Sequence, residues 1–207
     1  MRGSSDGILL HTAFPPSCGS GSTGIAICQP QQAASGRIEF LAQATGPRPF
    51  NRIRLEVDGL TIDGFRAAQL DHTYPIAPGT HTLRISAIDT AGVSYANTGS
   101  FTAAAQSACP LDPNTPSLTI CSPLNVAHTN GSFALHVLSN SFSPPQNLAV
   151  YVDGSFRMTI PPDSQLVSDQ PNGYSGSLTL PSGTHRVTVQ GYAGGEFVKT
   201  TAIFKVL

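Results

Sequence analysis

Apolar and polar residues alternate along much of this 207-residue chain. A period of two puts every second side chain on one face of a β-strand, whereas a helix repeats about every 3.6 residues. In the first half, three such runs have their apolar positions at Ile38, Phe40 and Ala42, at Ile53, Leu55 and Val57, and at Leu83, Ile85 and Ala87. The pattern therefore predicts strands that each bury one face, with Arg37, Glu39 and Leu41 on the opposite face of the first run.

The chain contains this pattern twice. A strand that ends in Asp-Gly is followed by a Gly-Thr-His strand, with Asp58 and His81 in the first copy and Asp153 and His185 in the second. From Asp58 to Asp153 the shift is 95 residues, and from His81 to His185 it is 104, so the second copy carries nine additional residues. We expect this insertion, at 155–175, to form a surface loop of the kind that often holds binding residues.

Each copy predicts an antiparallel β-sandwich, because about seven short strands with turn signals every 8 to 12 residues are typical of that architecture. The predicted fold is therefore all-β with two tandem sandwiches. We expect an irregular lead-in at 1–24, a first sandwich at 25–103, a short stiff linker at 104–116 and a second sandwich at 117–207. Pro30 predicts the end of the first strand, which begins at Gly24, and Pro75 predicts an edge strand.

Composition restricts the partners. Only 11% of the residues are charged and the net charge is −1, so the chain lacks the Lys/Arg excess that neutralises phosphates, and we expect no nucleic-acid partner. No apolar run approaches the roughly 18 residues of a membrane-spanning helix. The run Ile8-Leu9-Leu10 is too short for the core of a signal peptide, so we expect that an export signal has been removed or that the sequence is a piece of a longer chain.

The four cysteines lie in two pairs, each just before one copy of the repeat. Separations of ten and twelve residues do not match paired C-x-x-C zinc sites, and no histidine lies at ligand spacing. We predict two local disulfides, Cys18–Cys28 and Cys109–Cys121, with four free buried thiols as the alternative. Disulfides form in oxidising compartments, so this pairing predicts a secreted or cell-surface protein.

Several motifs resemble those of bacterial immunoglobulin-like domains from exported proteins of the acidobacterial type. They are Cys121-Ser122-Pro123, Tyr151-Val152-Asp153-Gly154 and the segment 183–190 in the second copy, and Cys28-Gln29-Pro30, Val57-Asp58-Gly59 and Gly79-Thr80-His81 in the first. The resemblance implies two immunoglobulin-like sandwiches, of a kind that serves as spacers or adhesive arms on larger proteins. Gln29 and the turn Ala193-Gly194-Gly195, which lacks a counterpart of Asp89, depart from the pattern.

The histidines and aspartates that recur in both copies have settings typical of structural roles. His81 and His185 each follow Gly-Thr at the start of a buried strand, which favours a side chain that hydrogen-bonds backbone at the end of the sandwich rather than a metal ligand. Asp58 and Asp153 match the Asp-Gly hairpin signal. Calcium at the domain junction remains an alternative that would use Asp112, Asn114 or Asp89.

No Ser lies in a G-x-S-x-G motif and no phosphate-binding loop precedes a helix, so we expect no catalytic residue, no cofactor and no metal. The chain has no tryptophan, which weighs against sugar binding by stacking. Tyr174, Tyr192, Phe142 and Phe156 are the remaining candidates, each interpreted as packed.

These observations predict a non-catalytic, monomeric segment of a larger exported bacterial protein that acts as a spacer or an adhesive binding module, with a surface protein or a glycan as partner. The alternative is a carbohydrate- or cell-wall-binding module that accompanies an enzyme located elsewhere in the full-length chain. Exposed Tyr or Phe side chains clustered on one sheet face, or in the insertion, would favour this alternative.

Overall fold

A computed structural model describes residues 23–33, 35–106, 108–112, 116–141, 143–163, 171–193 and 195–207. Within them the chain is all-β, as predicted, and the strands of each half form two sheets. The strands of the first half are β1 (Gly24–Gln32), β2 (Ile38–Thr45), β3 (Phe50–Val57), β4 (Leu60–Phe65), β5 (Gln69–Tyr74), β6 (Gly79–Asp89) and β7 (Ser94–Ala103). Those of the second half are β8 (Ser117–Ser122), β9 (His128–Thr129), β10 (Ser132–Asn140), β11 (Leu148–Val152), β12 (Ser155–Ile160), β13 (Asn172–Thr179), β14 (Gly183–Ala193) and β15 (Glu196–Val206).

The two halves have matching strand orders. In the first, a sheet of order β1-β2-β5 faces a sheet of order β4-β3-β6-β7. In the second, a sheet of order β13-β10-β8 faces a sheet of order β12-β11-β14-β15-β9, in which the short β9 is an additional strand, parallel to β15. The remaining pairs within each sheet are antiparallel, so each half is an immunoglobulin-like sandwich.

The apolar positions predicted from the alternation meet in two cores, one per sandwich. Phe40, Ile53, Leu55 and Ile85 are fully buried in the first, as are Val150, Val187 and Val189 in the second. Burial of this kind removes each large aliphatic side chain from water at a gain of about 1.5–3 kcal/mol. The spacing pattern in the sequence therefore located both cores correctly.

The Asp-Gly turns are confirmed as well. Asp58 and Gly59 have φ values of 50° and 75°, and Asp153 and Gly154 have 51° and 83°. Positive φ at both central residues is the geometry of a type I′ hairpin turn, whose twist matches that of the strands it joins.

Two predictions about the first sandwich were wrong. Strand β1 runs through Pro30 to Gln32 and has a bulge between Ile27 and Gln29. It lies at the edge of its sheet, where the missing N–H of proline costs no ladder hydrogen bond. The outward-facing Leu41 is also buried, at 4% exposure.

Arg37 departs from the predicted solvent exposure because the linker covers it. Its guanidinium donates to the carbonyl of Thr73 at 2.9 Å and to that of Pro110 at 3.4 Å, and it lies 3.6 Å from the carboxylate of Asp112. Burial lowers the pKa of Arg37, although the negative charge of Asp112 opposes this. The backbone carbonyl of Asp112 in turn accepts from Asn140 of the second sandwich at 3.0 Å, so this part of the linker contacts both domains.

A buried asparagine completes the junction. Asn125 is 1% exposed; its backbone N and its Nδ2 both donate to the carbonyl of Pro75, at 3.2 and 3.0 Å. Its backbone carbonyl accepts from Ala77 N at 3.0 Å, and its Oδ1 accepts from Ile203 N at 2.9 Å. Ile203 and Val126 pack into the core of the first sandwich. The two sandwiches therefore share polar and apolar contacts.

Candidate functional site

The paired histidines and aspartates form the same side-chain motif in both sandwiches. His81 Nδ1 lies 2.7 Å from Asp58 Oδ2, and His81 Nε2 lies 2.8 Å from the carbonyl of Ala77. In the second copy, His185 Nδ1 lies 2.8 Å from Asp153 Oδ2 and Nε2 lies 2.9 Å from the carbonyl of Pro181. We call each arrangement a His–Asp clasp, because it ties the hairpin turn to the start of the next strand. It confirms that these histidines bond to backbone.

The aspartate side chain also binds the strand directly. Asp58 Oδ1 accepts from the backbone N of Thr82 at 2.8 Å, and Asp153 Oδ1 accepts from that of Arg186 at 2.8 Å. Sequence reasoning took Asp-Gly as a turn signal only and missed this second role. The signal that would have found it is the recurrence of the same Asp together with the same His in both copies.

The clasps shift the pKa of both aspartates and of His185. Burial works against ionisation of each carboxyl group, but the hydrogen bonds from the histidine and from the backbone amides outweigh it and lower the pKa of Asp58 and of Asp153. Burial likewise works against protonation of His185, but its bonds to Asp153 and Pro181 outweigh burial and raise the pKa of His185. An imidazole donates from both ring nitrogens only when it is protonated, which agrees with the two acceptors that face this ring.

The clasp geometry does not suit nucleophilic catalysis. In a catalytic triad the carboxylate binds one ring nitrogen and the nucleophile faces the other. Here a backbone carbonyl faces the second nitrogen in both copies. The Thr82 hydroxyl lies 3.1 Å from Asp58 Oδ1 rather than beside the ring, and the second copy has Arg186 at that position. The clasps are therefore structural.

A different feature distinguishes the second sandwich: aromatic side chains on the outer face of the sheet β12-β11-β14-β15-β9. Tyr192 of β14 and Phe197 of β15 are cross-strand partners with ring centroids 5.5 Å apart, and they are 70% and 37% exposed. Tyr151 of β11 and Phe156 of β12 form a second pair at 5.8 Å, with Phe156 58% exposed. Exposed apolar clusters on a sheet face are typical of interaction sites.

Register fixes the spacing of these two pairs. Tyr151 pairs with Thr188 of β14, and Tyr192 lies four residues further along that strand, which corresponds to about 13 Å at 3.3 Å per residue. Between them the outer face carries Gln190 and its cross-strand partner Lys199. The face therefore presents two aromatic positions separated by hydrogen-bonding side chains. We call it the aromatic face.

The aromatic residues named from the sequence have different fates. Tyr174 is fully buried and its hydroxyl donates to the carbonyl of Pro145, as the packed interpretation predicted. Burial raises the pKa of Tyr174 to about 12. The packed interpretation was wrong for Tyr192 and Phe156. Each is one member of a cross-strand pair on the outer face of the sheet, and each side chain points away from the core. Phe142 lies outside the described residues, as does much of the insertion, from 164 to 170.

The disulfide prediction is tested in part. Cys109 and Cys121 form a disulfide, as expected, whereas Cys18 lies outside the described residues, so Cys18–Cys28 stays a prediction. Of the calcium candidates, Asp89 accepts from the backbone N of Ala91 and of Val93, both at 2.9 Å, and Asp112 faces Arg37. Asn114 is not among the described residues, and within those that are, no three His, Cys, Asp or Glu side chains are grouped to hold a metal ion.

No helix in the described part of the chain is long and apolar enough to cross a membrane.

No protein-family model matches the chain, and no curated protein matches it. Among solved structures it is similar to the fibronectin(III)-like modules of Clostridium thermocellum CbhA, at 14% identity and a TM-score of 0.34, over 88% of this chain and 93% of that one. It is also similar to an endo-β-1,4-mannanase from Thermotoga petrophila, at 17% identity and a TM-score of 0.37, over 46% of this chain and 20% of that one.

A third similar structure is a Bacteroides ovatus protein of a mixed-linkage glucan utilisation locus, in complex with a mixed-linkage heptasaccharide. It matches at 13% identity and a TM-score of 0.31, over 90% of this chain and 48% of that one. This chain thus spans about half the length of that protein and a fifth of the mannanase. Likenesses this distant carry no argument about function, and the immunoglobulin-like architecture described above stands on the strand order of the chain itself.

Proposed function

We propose that this chain is a non-catalytic, extracellular segment of a larger exported bacterial protein, and that it is an adhesive module that binds glycan on the aromatic face of the second sandwich. The observation that carries the proposal is the exposure of Tyr192 and Phe156 on one sheet face, about 13 Å apart along the strand direction. Sugar rings stack their C–H faces on aromatic rings, and side chains such as Gln190 and Lys199 bond to hydroxyl groups.

The pairs also have a structural effect, since cross-strand aromatic contacts stabilise a sheet by about 0.5–1.5 kcal/mol. That effect alone does not require large aromatic surface to remain in water. Within each pair the rings are inclined, at 68° and 73°, so one ring of each pair is free to present its face to a sugar. This arrangement favours a ligand that contacts two separated points, such as an extended polysaccharide.

The extracellular location is supported by the Cys109–Cys121 disulfide, because such bonds persist mainly in oxidising compartments. In both His–Asp clasps the second ring nitrogen faces a backbone carbonyl rather than a nucleophile, which supports a non-catalytic role. Whether the segment accompanies an enzyme in the full-length chain, and whether it is monomeric, stay predictions.

The junction favours a second function, that of a spacer. Asn125, Arg37 and Asp112 tie the two sandwiches together by buried hydrogen bonds and an ion pair. A spacer that holds a fixed geometry between neighbouring domains requires such a junction rather than a flexible linker.

Affinity gel electrophoresis on neutral polysaccharides (mannan, laminarin and hydroxyethyl cellulose) tests the proposal. We expect retardation by at least one of them, and a loss of about tenfold in affinity, or about 1.4 kcal/mol, in Tyr192→Ala with Phe197→Ala. The matched control is Ile88→Ala with Val93→Ala, two apolar residues of the first sandwich that are 40% and 44% exposed. Equal losses in both variants, or no retardation of the native protein, would contradict glycan binding at the aromatic face.

A further inference from the structure

A positively charged groove lies on the first sandwich, on the outer face of the sheet β4-β3-β6-β7. It has a volume of about 580 Å³ and is lined by Asn51, Arg52, Gly64 and Arg66. It lies at the sheet edge, since β4 is the outermost strand of this sheet. None of these residues belongs to a clasp, to the junction or to the aromatic face.

The register of β3 and β4 brings the two arginines together. Ile53 pairs with Phe65 and Arg54 with Gly64, so Arg52 and Arg66 are the next residues beyond the Ile53–Phe65 pair, one on each side. The Arg52 side chain of β3 lies over Gly64 of the neighbouring strand β4. A Cβ added to Gly64 would be 3.4 Å from Arg52 Nε. The φ of Gly64 is not in the left-handed region, so the backbone does not require glycine here. Instead, the missing side chain leaves room for the Arg52 guanidinium.

The neighbouring charges are compensated, but these two are not. Glu56 accepts from Arg84 at 2.6 Å and lies 3.8 Å from Arg54. The Asp63 carboxylate accepts from Gly64 N at 2.7 Å and from the Tyr74 hydroxyl at 2.9 Å. Among the described residues, Arg52 and Arg66 have no carboxylate within ion-pair distance. Like charges on neighbouring strands repel each other, and an anion bound between them would remove that repulsion.

We propose that Arg52 and Arg66 bind the carboxylate groups of an acidic polysaccharide, so that this chain binds a uronate polymer more tightly than a neutral glycan of the same backbone. Guanidinium groups bind planar carboxylates through paired N–H donors, and the Asn51 amide lies where it can bond to sugar hydroxyls. The groove is open at the sheet edge, which suits a polymer that runs across it. The inference rests on the proposed glycan binding and narrows it to one chemical class.

The position of β4 relates the groove to the second sandwich. This strand carries Gly64 and also contacts β15, whose Ile203 packs into the core of the first sandwich. A polysaccharide is a better candidate than a nucleic acid, because the chain has a net charge of −1 rather than an extended cationic surface.

The test compares polygalacturonate with its fully methyl-esterified form, which has the same backbone without the charges. Isothermal titration of the whole chain at low salt is expected to give about tenfold tighter binding of polygalacturonate. Arg52→Gln with Arg66→Gln should abolish this preference and leave binding of the ester unchanged. The control, Arg48→Gln with Arg157→Gln, changes the net charge equally at two exposed arginines elsewhere and should keep the preference.

Other results of this titration would contradict the proposal. Equal loss in the control, equal affinity for the ester and the acid, or tighter binding of single-stranded poly(dT) than of polygalacturonate would each overturn the uronate site. Competition by monomeric galacturonate at equal sugar concentration would overturn the polymer and leave a small carboxylate as the ligand. If the Tyr192→Ala, Phe197→Ala variant still binds the ester, glycan binding at the aromatic face is overturned. This result is separate from the test of the groove, which depends on the ratio of the affinities for acid and ester.

Discussion

At the scale of single residues, the His–Asp clasp shows how a charged side chain stabilises a sandwich without a catalytic role. Each histidine joins a turn carboxylate to a carbonyl four residues before it in the chain. The carboxylates of Asp58 and Asp153 are 36% and 50% exposed, so solvent screens these bonds and their main effect is geometric. The clasp therefore fixes the angle between the hairpin and the following strand at the same end of both sandwiches.

The clasp of the second sandwich predicts a pH dependence of stability. The folded-state pKa of His185 is raised, so its contribution is complete below the unfolded pKa of about 6.5 and is lost as the pH rises through the folded value. The folded-state pKa of Asp153 is lowered, so its contribution is lost only as the pH falls through that lower value. Among the charges nearby, Arg157 opposes protonation of the ring.

We expect the free energy of unfolding to fall as the pH rises from about 6.5 through the raised folded-state pKa of His185, and His185→Gln to reduce this fall. Urea unfolding at several pH values measures it. His128→Gln, at an exposed histidine of the same sandwich, is the control. Identical pH profiles for the native protein and His185→Gln would show that the clasp does not hold a proton.

The clasp also illustrates what a sequence reveals about single residues. The setting of His81 and His185 after Gly-Thr predicted backbone bonding, because only local geometry was involved. The aspartate partner was missed, since Asp58 and Asp153 already satisfy the hairpin signal. Exposure of Tyr192 was missed for a related reason: alternation predicts which residues share a face, but not which outer faces remain uncovered.

At the scale of elements, the successes and failures follow from the range of the interaction. Strands β2, β3, β6 and their counterparts were predicted because alternation and turns are local. The extension of β1 through Pro30 was not, since it depends on β1 being an edge strand. The burial of Arg37 was missed because the residues that cover it, Pro110 and Asp112, are more than 70 residues away in the chain.

The disulfide between the linker and β8 predicts a measurable contribution to stability. Cys109 and Cys121 are twelve residues apart in sequence, and a closed loop of this length stabilises the folded state by about 2–3 kcal/mol in the chain-entropy model. We expect Cys109→Ser with Cys121→Ser to lower the free energy of unfolding by that amount. Urea titration measures the change, and non-reducing peptide mapping of the native protein tests the Cys18–Cys28 pair in parallel.

The native protein under reducing conditions is a second comparison: reduction opens the Cys109–Cys121 bond without changing a side chain, and it opens the predicted Cys18–Cys28 bond as well. Pro110, next to Cys109, accepts a hydrogen bond from Arg37, so loss of the bond should also loosen the linker from the first sandwich. A variant as stable as the native protein would mean that packing of the linker, rather than the bond, holds this segment.

At the scale of the whole molecule, the junction determines whether the two sandwiches act as one unit. Asn125 lies in a loop before β9, and nothing in its local sequence marks it out, because its partners Pro75 and Ile203 are 50 and 78 residues away. Ile203 occupies an outward position of β15 and is buried by the first sandwich. Contacts of this kind arise only from the relative placement of two folded domains, so sequence periodicity predicted both domains but not their coupling.

This coupling predicts cooperative unfolding. Replacement of a buried hydrogen-bonded side chain leaves its former partners unsatisfied at about 1–3 kcal/mol each, and Asn125→Ala strips Ile203 N of its acceptor and removes one of the two donors to the Pro75 carbonyl. We expect the native protein to unfold in one calorimetric transition and Asn125→Ala to unfold in two. The first sandwich should melt at the lower temperature, because it loses the cover of Val126 and Ile203. The control is Asn97→Ala, which removes one bond to the carbonyl of Ile25 and one from the backbone N of Thr98, both within the first sandwich, and should lower stability while keeping one transition. Asn125→Ala could instead melt in one transition with equal calorimetric and van't Hoff enthalpies. In that case the apolar contacts of Ile203 and the Arg37–Asp112 pair suffice to couple the domains. The buried asparagine would then set the orientation of the domains rather than their cooperativity.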